Sequence, residues 1–323
     1  MRVPGWARGE AVPSDLYRFA DASDAKVTLR VDGQPVPLAL ENGYARVERR
    51  WKTGDVVELG LPMPVRRVVA HPAVEADHGR VALQRGPLVY AAEWPDNAGG
   101  KVRNLLLPDD ATLSSQFRPN VLNGVQVVTG RAVALSYDAN GKVTRHEQDF
   151  TAIPYYAWAN RGPGEMVVFI PDRETSARPQ PPPTLASRAA VSSSQGGHDP
   201  RAANDQSEPR SSRDASSSFF HWWPEKGSTE WVEYAFEKPS RVREVEVYWL
   251  DDTGSGECRV PSAWRVLYKD GEEWKPVATP GAYGLEKDRY NKAAFEPVTT
   301  SGLRLEVVLQ PEWSAGILEW KVN

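Results

Sequence analysis

Between Phe219 and Trp320 the chain packs eight of its twelve tryptophans, and this block contains runs that alternate apolar and polar residues. W-V-E-Y-A-F (231–236), V-R-E-V-E-V-Y-W-L (242–250), A-W-R-V-L-Y (263–268) and L-R-L-E-V-V-L (303–309) all repeat at period two. Successive side chains of a strand point to opposite faces, so this period predicts half-buried antiparallel strands; a helix would repeat near ~3.6. Asp270-Gly271, between Tyr268 and Trp274, tolerates positive φ and marks a hairpin. The block is expected to close as one compact β-sandwich, with Trp231, Trp249, Trp264 and Trp320 in its core.

The same grammar runs through the earlier residues. Val27–Val31 leads into Asp32-Gly33, Glu41 passes through Asn42-Gly43 into the segment Tyr44–Trp51, and short apolar runs follow at Val56–Leu59 and Val65–Val69. Turn signals spaced by roughly ten residues, with almost no period-3.6 pattern, argue for an all-β chain. Val81–Tyr90 is more continuously apolar, as expected of a central strand, with Gly86-Pro87 marking a bulge or bend. Residues 95–123 are loop-rich before strand character resumes at 125–128 and 132–137. The expected organisation is a β-sandwich over 1–94 and 152–172, a smaller inserted β unit over 95–151, a Pro-rich linker over 173–186, and a second sandwich over 187–323. The fold class is all-β, tandem antiparallel β-sandwiches with almost no helix.

Charge and composition remove several functions. The 39 Lys and Arg are interspersed with 43 Asp and Glu, giving a formal net charge of −4 and no basic stripe, so nucleic acid is not an expected partner. No stretch approaches the ~20 apolar residues of a membrane helix, and Met1-Arg-Val-Pro-Gly-Trp6 lacks an apolar signal core. The chain is expected to be soluble, without an export signal or a membrane partner, and its compartment stays open. Cys258 is the sole thiol, which excludes an internal disulfide and a thiolate-rich metal site. His71 and His78 have no third ligand in view, no pair of acids is singled out for hydrolysis, and no Gly-x-Ser-x-Gly, phosphate loop or dinucleotide fingerprint occurs.

Specific residues then carry a resemblance. Arg2-Val-Pro-Gly-Trp-Ala, Trp51-Lys-Thr-Gly-Asp-Val-Val-Glu-Leu, Pro62-Met-Pro-Val-Arg, Gly79-Arg-Val-Ala-Leu-Gln-Arg-Gly-Pro-Leu-Val-Tyr and Pro154-Tyr-Tyr-Ala-Trp-Ala-Asn-Arg-Gly resemble the region that follows the catalytic barrel in glycoside hydrolase family 127. These are the β-L-arabinofuranosidase-like proteins, and the similarity covers roughly residues 1–172. The resemblance implies that chemistry, with a cysteine nucleophile, glutamates and a cysteine-rich zinc site, belongs to an (α/α)6 barrel whose motifs have no match in this sequence. Residues from about 187 resemble the discoidin-like, or coagulation factor 5/8 type C, fold that includes the family 32 carbohydrate-binding modules. Ala203-Asn-Asp205, Trp231-Val-Glu-Tyr-Ala-Phe, Val245-Glu-Val-Tyr-Trp, Pro261-Ser-Ala-Trp-Arg-Val-Leu-Tyr, Phe295-Glu-Pro-Val and Ile317-Leu-Glu-Trp-Lys-Val carry it.

The second resemblance implies a structural calcium shared by an early Asp and a late Glu, positions matched by Asp205 and Glu319, with Gln206 where a tight-turn Gly is usual. Sugar recognition needs a flat aromatic face for the C–H surface of a ring and polar groups for its hydroxyls. His221, Trp222 and Trp223 in the 219–224 turn, with Asp251, Asp252 and Arg259 in the following polar loop, supply both, and Tyr283, Tyr290, Asn291 and Trp313 lie in two further loops. The expected function is non-catalytic binding of a plant or microbial polysaccharide. Two alternatives stand beside it: a glycoside hydrolase with a new site on the β-domains, and an accessory chain for a separate catalytic barrel.

Overall fold

The structure is a computed structural model that describes residues 1–162, 164–195, 199–214, 217–279 and 281–323. Strands account for 45% of it and no helix reaches 7 residues, so the all-β reading stands. Two compact units divide the chain, Met1–Pro182 and Pro183–Asn323.

In the first unit a small sheet of Thr28–Val31, Gln34–Pro35 and Val57–Gly60 closes over its own core of Val3, Leu29 and Ala45. A ten-stranded sheet follows, in which Val65–Ala70, Arg80–Arg85, Leu88–Glu93, Val143–Pro154 and Val125–Tyr137 are successive neighbours. Three expectations are corrected here. Residues 81–90 are not one strand but a hairpin, because Pro87 has no N–H to give a ladder and Gly86 sits at φ 59°, where an added Cβ would lie 2.5 Å from Met63. Residues 95–151 are not a separate unit: Val143–Pro154 runs unbroken across the expected boundary, Val128 pairs with Ala152, and Leu105, Leu107, Val128 and Phe150 share one core with Val81, Leu83 and Tyr90. Nor do residues 173–182 form a free spacer. Arg178 N–H donates to the Arg103 carbonyl (3.0 Å) and Gln180 bridges Ser136.

The loop after Pro154 is fixed by a charge cluster. Arg161 reaches Glu93 and Asp96 at once, with Nη1 2.7 Å from Asp96 Oδ1 and Nε 3.2 Å from Glu93 Oε2. Hydrogen bonds donated to Asp96 and Glu93 raise the already high guanidinium pKa further, against the cost of burial. Glu93 also accepts from the N–H of Ala159 (2.9 Å), a residue at φ 63°. Tyr155, Tyr156 and Trp158 are thereby held exposed on the loop.

The second unit is a seven-stranded sheet ordered Phe220–His221, Gly316–Val322, Thr229–Leu250, Tyr290–Val308, Ala263–Asp270, Glu273–Pro276, with Ala190–Ser193 added on Thr229–Leu250. Its alternation is visible in burial: Val232, Tyr234, Leu305 and Val307 are fully buried while their sequence neighbours are not. Tyr234 stacks on Trp320 at 3.8 Å and 17°, and its hydroxyl lies 2.9 Å from the Ala203 carbonyl and 3.0 Å from that of Trp320. Trp249 and Trp264 join this core as expected. Trp231 does not: it lies half-buried on the outer sheet face, with the Arg304 guanidinium 4.4 Å from its ring centroid.

Removing Arg161 would strand a carboxylate that is 3% exposed. Arg161→Ala is expected to cost the first unit ~3–5 kcal/mol of unfolding free energy, as when one partner of a buried ion pair is deleted. Urea titration followed by the fluorescence of that unit's tryptophans measures it.

Candidate functional site

The strand Phe220–His221 pairs with Ile317 and Gly316, and the next two residues diverge. Trp222 turns inward, fully buried and edge-on to Phe220 at 4.9 Å, its indole N–H donating to the Trp231 carbonyl (3.3 Å). Trp223 turns outward and is 48% exposed. Its indole N–H donates to Glu257 Oε2 (2.9 Å), and Lys226 Nζ lies 3.0 Å from the same oxygen. Those two donors, Trp223 first and Lys226 second, hold the Glu257 carboxyl below its ordinary range.

Glu257 belongs to the 251–259 loop, which is tied to the 310–314 loop by backbone. Ser314 N–H donates to the Glu257 carbonyl (3.0 Å), Arg259 N–H to the Ser314 carbonyl (2.8 Å), and Cys258 and Ser314 form a parallel bridge. This tie sets the Arg259 guanidinium 3.9 Å from the Trp313 ring centroid and 3.2 Å from Asp252 Oδ1. Trp223, Lys226, Asp252, Glu257, Arg259 and Trp313 therefore come together from three loops. An indole face, a carboxylate acceptor and two cationic donors at one place suit a sugar ring with its hydroxyls. Cys258 inside the loop is 3% exposed, and burial, reinforced by the Asp252 charge, pushes its thiol up to about 12. It is not a thiolate nucleophile at neutral pH.

Several expected site residues serve the scaffold instead. Trp222 is core. Asp251 is 2% exposed; burial works against its charge, but hydrogen bonds from Lys287 (2.7 Å) and Thr253 (2.5 Å) outweigh it and keep the carboxyl below its ordinary range. Tyr283 packs its ring 4.7 Å from Trp264 and accepts the Val266 N–H (3.2 Å). Asn291, 4% exposed, clamps Glu286 through both its amide atoms. Tyr290 donates to Glu208 (2.8 Å) and lies edge-on to Tyr248, and burial raises its hydroxyl pKa. His221 is half-buried and stacked against exposed Phe219 at 5.8 Å. Lys226 and Glu257 were not singled out from the sequence; only the acidic character of 251–259 pointed toward the second.

Asp205 and Glu319 lie close to each other. Gln206, at φ 63°, donates its N–H to Glu319 Oε2 (3.1 Å), and Ser207 N–H donates to Asp205 Oδ1 (2.8 Å). Glu319 is 2% exposed, and burial, followed by the Asp205 charge, pushes its carboxyl up to about 9. A buried carboxyl beside a second carboxylate is a donor set of hard oxygens that a divalent cation would suit. Among the described residues no group of three or more His, Cys, Asp and Glu gathers as a metal cluster, so further ligands would have to be backbone or water oxygens.

The first unit matches the accessory domains of a glycoside hydrolase family. Residues 1–63 match the family model described as "Beta-L-arabinofuranosidase, GH127 middle domain", residues 65–171 "Glycoside hydrolase family 127 C-terminal domain" and residues 188–320 "F5/8 type C domain". The chain thus consists of the middle and C-terminal domains of glycoside hydrolase family 127 followed by a discoidin-like domain. It is 35% identical over 183 residues to a non-reducing end β-L-arabinofuranosidase of Bifidobacterium longum, covering 52% of this chain and 25% of that protein. It is similar to a solved GH127 β-arabinofuranosidase at 46% identity and a TM-score of 0.54, covering 56% of this chain and 28% of the other. A GH127 β-L-arabinofuranosidase from Geobacillus stearothermophilus T6 is similar at 40% identity and a TM-score of 0.45, over 53% of this chain and 25% of that one. The chain spans about a quarter of the length of these relatives.

The two adjacent tryptophans should separate in a thermal melt. Trp222→Ala empties a fully buried site and is expected to cost ~3–5 kcal/mol. Trp223→Ala, at an exposed ring with one hydrogen bond, should stay within about 1 kcal/mol of wild type.

Proposed function

We propose that the chain is a non-catalytic carbohydrate-binding protein, and that its sugar site is the cluster of Trp223, Lys226, Asp252, Glu257, Arg259 and Trp313. The observation that carries this is the exposed Trp223 indole, anchored by Glu257 beside an arginine already stacked on a second tryptophan. Such an anchored ring keeps its face for a ligand and loses little freedom on binding. The discoidin-like domain and the neighbouring glycosidase domains support a polysaccharide as the ligand, and the arabinofuranosidase relatives make arabinofuranose-bearing plant polysaccharide the first to try. A glycan array followed by calorimetry tests it. Trp223→Ala and Trp313→Ala should each weaken binding about tenfold or more, equivalent to ~1.4 kcal/mol, with Trp223→Ala melting like wild type. Undiminished binding in both would remove the site. The chain itself should release no reducing sugar from arabinan or arabinoxylan. Sustained turnover abolished by replacing one acid would overturn the non-catalytic reading.

We also propose that Asp205 and Glu319 hold a structural calcium, apart from the sugar. A ligand bound only to the folded state stabilises it by ~2.7 kcal/mol at a hundredfold excess over Kd. Chelation should therefore lower the Tm of wild type and leave Asp205→Ala unmoved. With chelator present the pH dependence follows from Glu319, whose carboxyl is raised from 4.5 to about 9 in the folded chain. The folded state then favours the protonated form, so its stability is full below the ordinary carboxyl range and is lost as pH rises toward 9. Calcium should flatten that slope, and so should Glu319→Gln. Equal responses to chelator in wild type and Asp205→Ala would rule the assignment out.

A further inference from the structure

The first unit contains a cleft of about 690 Å³, a size usual for small-molecule sites, that no function discussed so far uses. It opens between the 3-10 turn Gly5–Arg8, the strand Tyr17–Phe19 with the residues after it, and the strands Val65–Ala70 and Arg80–Arg85. Register explains its inner wall. Phe19 pairs with Val68, and Arg66, two residues along, returns to the same face, with its guanidinium 3.9 Å from the Phe19 ring centroid. Gln84 pairs directly opposite Arg66, is 6% exposed, and is fixed by its donation to the Gly86 carbonyl (2.9 Å). Arg66 is fixed too, since its Nη2 donates to the Asp21 carbonyl. Trp6 supplies a second aromatic wall, and Arg8 and Lys26 stand at the opening.

The charge of this lining is one-sided. It includes three cationic side chains and no Asp or Glu, in a chain whose formal net charge is −4. Arginine and lysine offer donors and no acceptors, so the lining suits an acceptor-rich ligand. Arg8 and Arg66 have acidic neighbours outside the lining, Glu10 at 3.2 Å and Asp21 at 3.6 Å, whereas Lys26 makes no ion pair among the described residues. That leaves about one uncompensated positive charge. It suits a single carboxylate carried on an otherwise neutral ring, and is too little for a phosphate or a sulfated chain. The Trp6 ring suits the C–H face of the sugar ring itself, Phe19 being covered on one face by Arg66.

We propose that this cleft binds an acidic sugar, a uronate residue of a polysaccharide, as a second carbohydrate site independent of the tryptophan site. The choice of a sugar as the carrier of the carboxylate rests on the carbohydrate reading above; the preference for an anion rests on the cleft. Calorimetry on the full chain with trigalacturonate, and with its methyl-esterified, uncharged form, tests it. The acid should bind at least tenfold more tightly than the ester, and Lys26→Glu, at an exposed position, should weaken the acid at least tenfold at unchanged Tm. Trp223→Ala should leave this binding intact. Equal affinity for acid and ester, no binding of the acid at millimolar concentration, or an undiminished Lys26→Glu variant would overturn it. If Trp223→Ala abolishes acid binding and Lys26→Glu does not, the acid sits at the tryptophan site, which overturns the cleft and spares the earlier reading. Acid binding lost in Lys26→Glu, with no neutral glycan bound anywhere, would support the cleft and overturn the tryptophan site.

Discussion

Thr229 pairs with Val308 at one end and Tyr248 with Tyr290 at the other, so strands of 22 and 19 residues stay hydrogen-bonded along almost their whole length. Two register shifts, between Ala235 and Ser240 and between Val242 and Glu244, interrupt that pairing and bend it. Because of the bend, the early half of the longer strand meets Ala190–Ser193 while its late half meets Gly316–Val322. One continuous strand thereby serves both layers of the sandwich, and Val232 and Val245 reach the same core. A slip of one residue in the early half of this register would turn Val232 and Tyr234 outward together. The loops of the tryptophan site leave the ends of these strands, so their positions depend on the same register.

The first unit is held differently. Its ten-stranded sheet has an apolar core, but the loop that displays Tyr155, Tyr156 and Trp158 depends on one guanidinium shared by two carboxylates. Buried ion clusters stabilise a fold less than well-packed apolar groups do, and they are intolerant of losing a member. Their usual merit is to fix one geometry. Here that geometry is a presented aromatic surface rather than a filled interior.

Much of the fold was legible because burial imposes period two on a half-buried strand, and residues 231–236 and 303–309 keep that period without error. The failures share a cause: periodicity reports that faces alternate, not where each face points. Trp231 alternates correctly yet faces outward onto Arg304, and Val81–Tyr90 reads as one apolar run although a two-residue turn folds it in half. Residues 95–151 looked separate because they begin with a long loop-rich stretch; the pairing of Val128 with Ala152, on a strand that itself pairs with Leu88–Glu93, shows that the sheet runs on. At the site, Trp222 and Trp223 are chemically identical neighbours, and the way the chain leaves the strand Phe220–His221 makes one core and the other surface. Lys226 and Glu257 are thirty-one positions apart by their numbering and meet only in space, which no local pattern encodes.

The backbone tie between the 251–259 and 310–314 loops has a consequence for how such a module diversifies. Ser314 is bonded on both sides, to the Glu257 carbonyl and the Arg259 N–H, so the two loops move as one body. An insertion in either loop alone would break that pair of hydrogen bonds and carry Arg259 off the Trp313 ring. Specificity can therefore drift freely through single side chains on the paired loops, but a change in loop length has to arrive in both at once. Exchange between related modules would then succeed only when the two loops travel as a linked cassette.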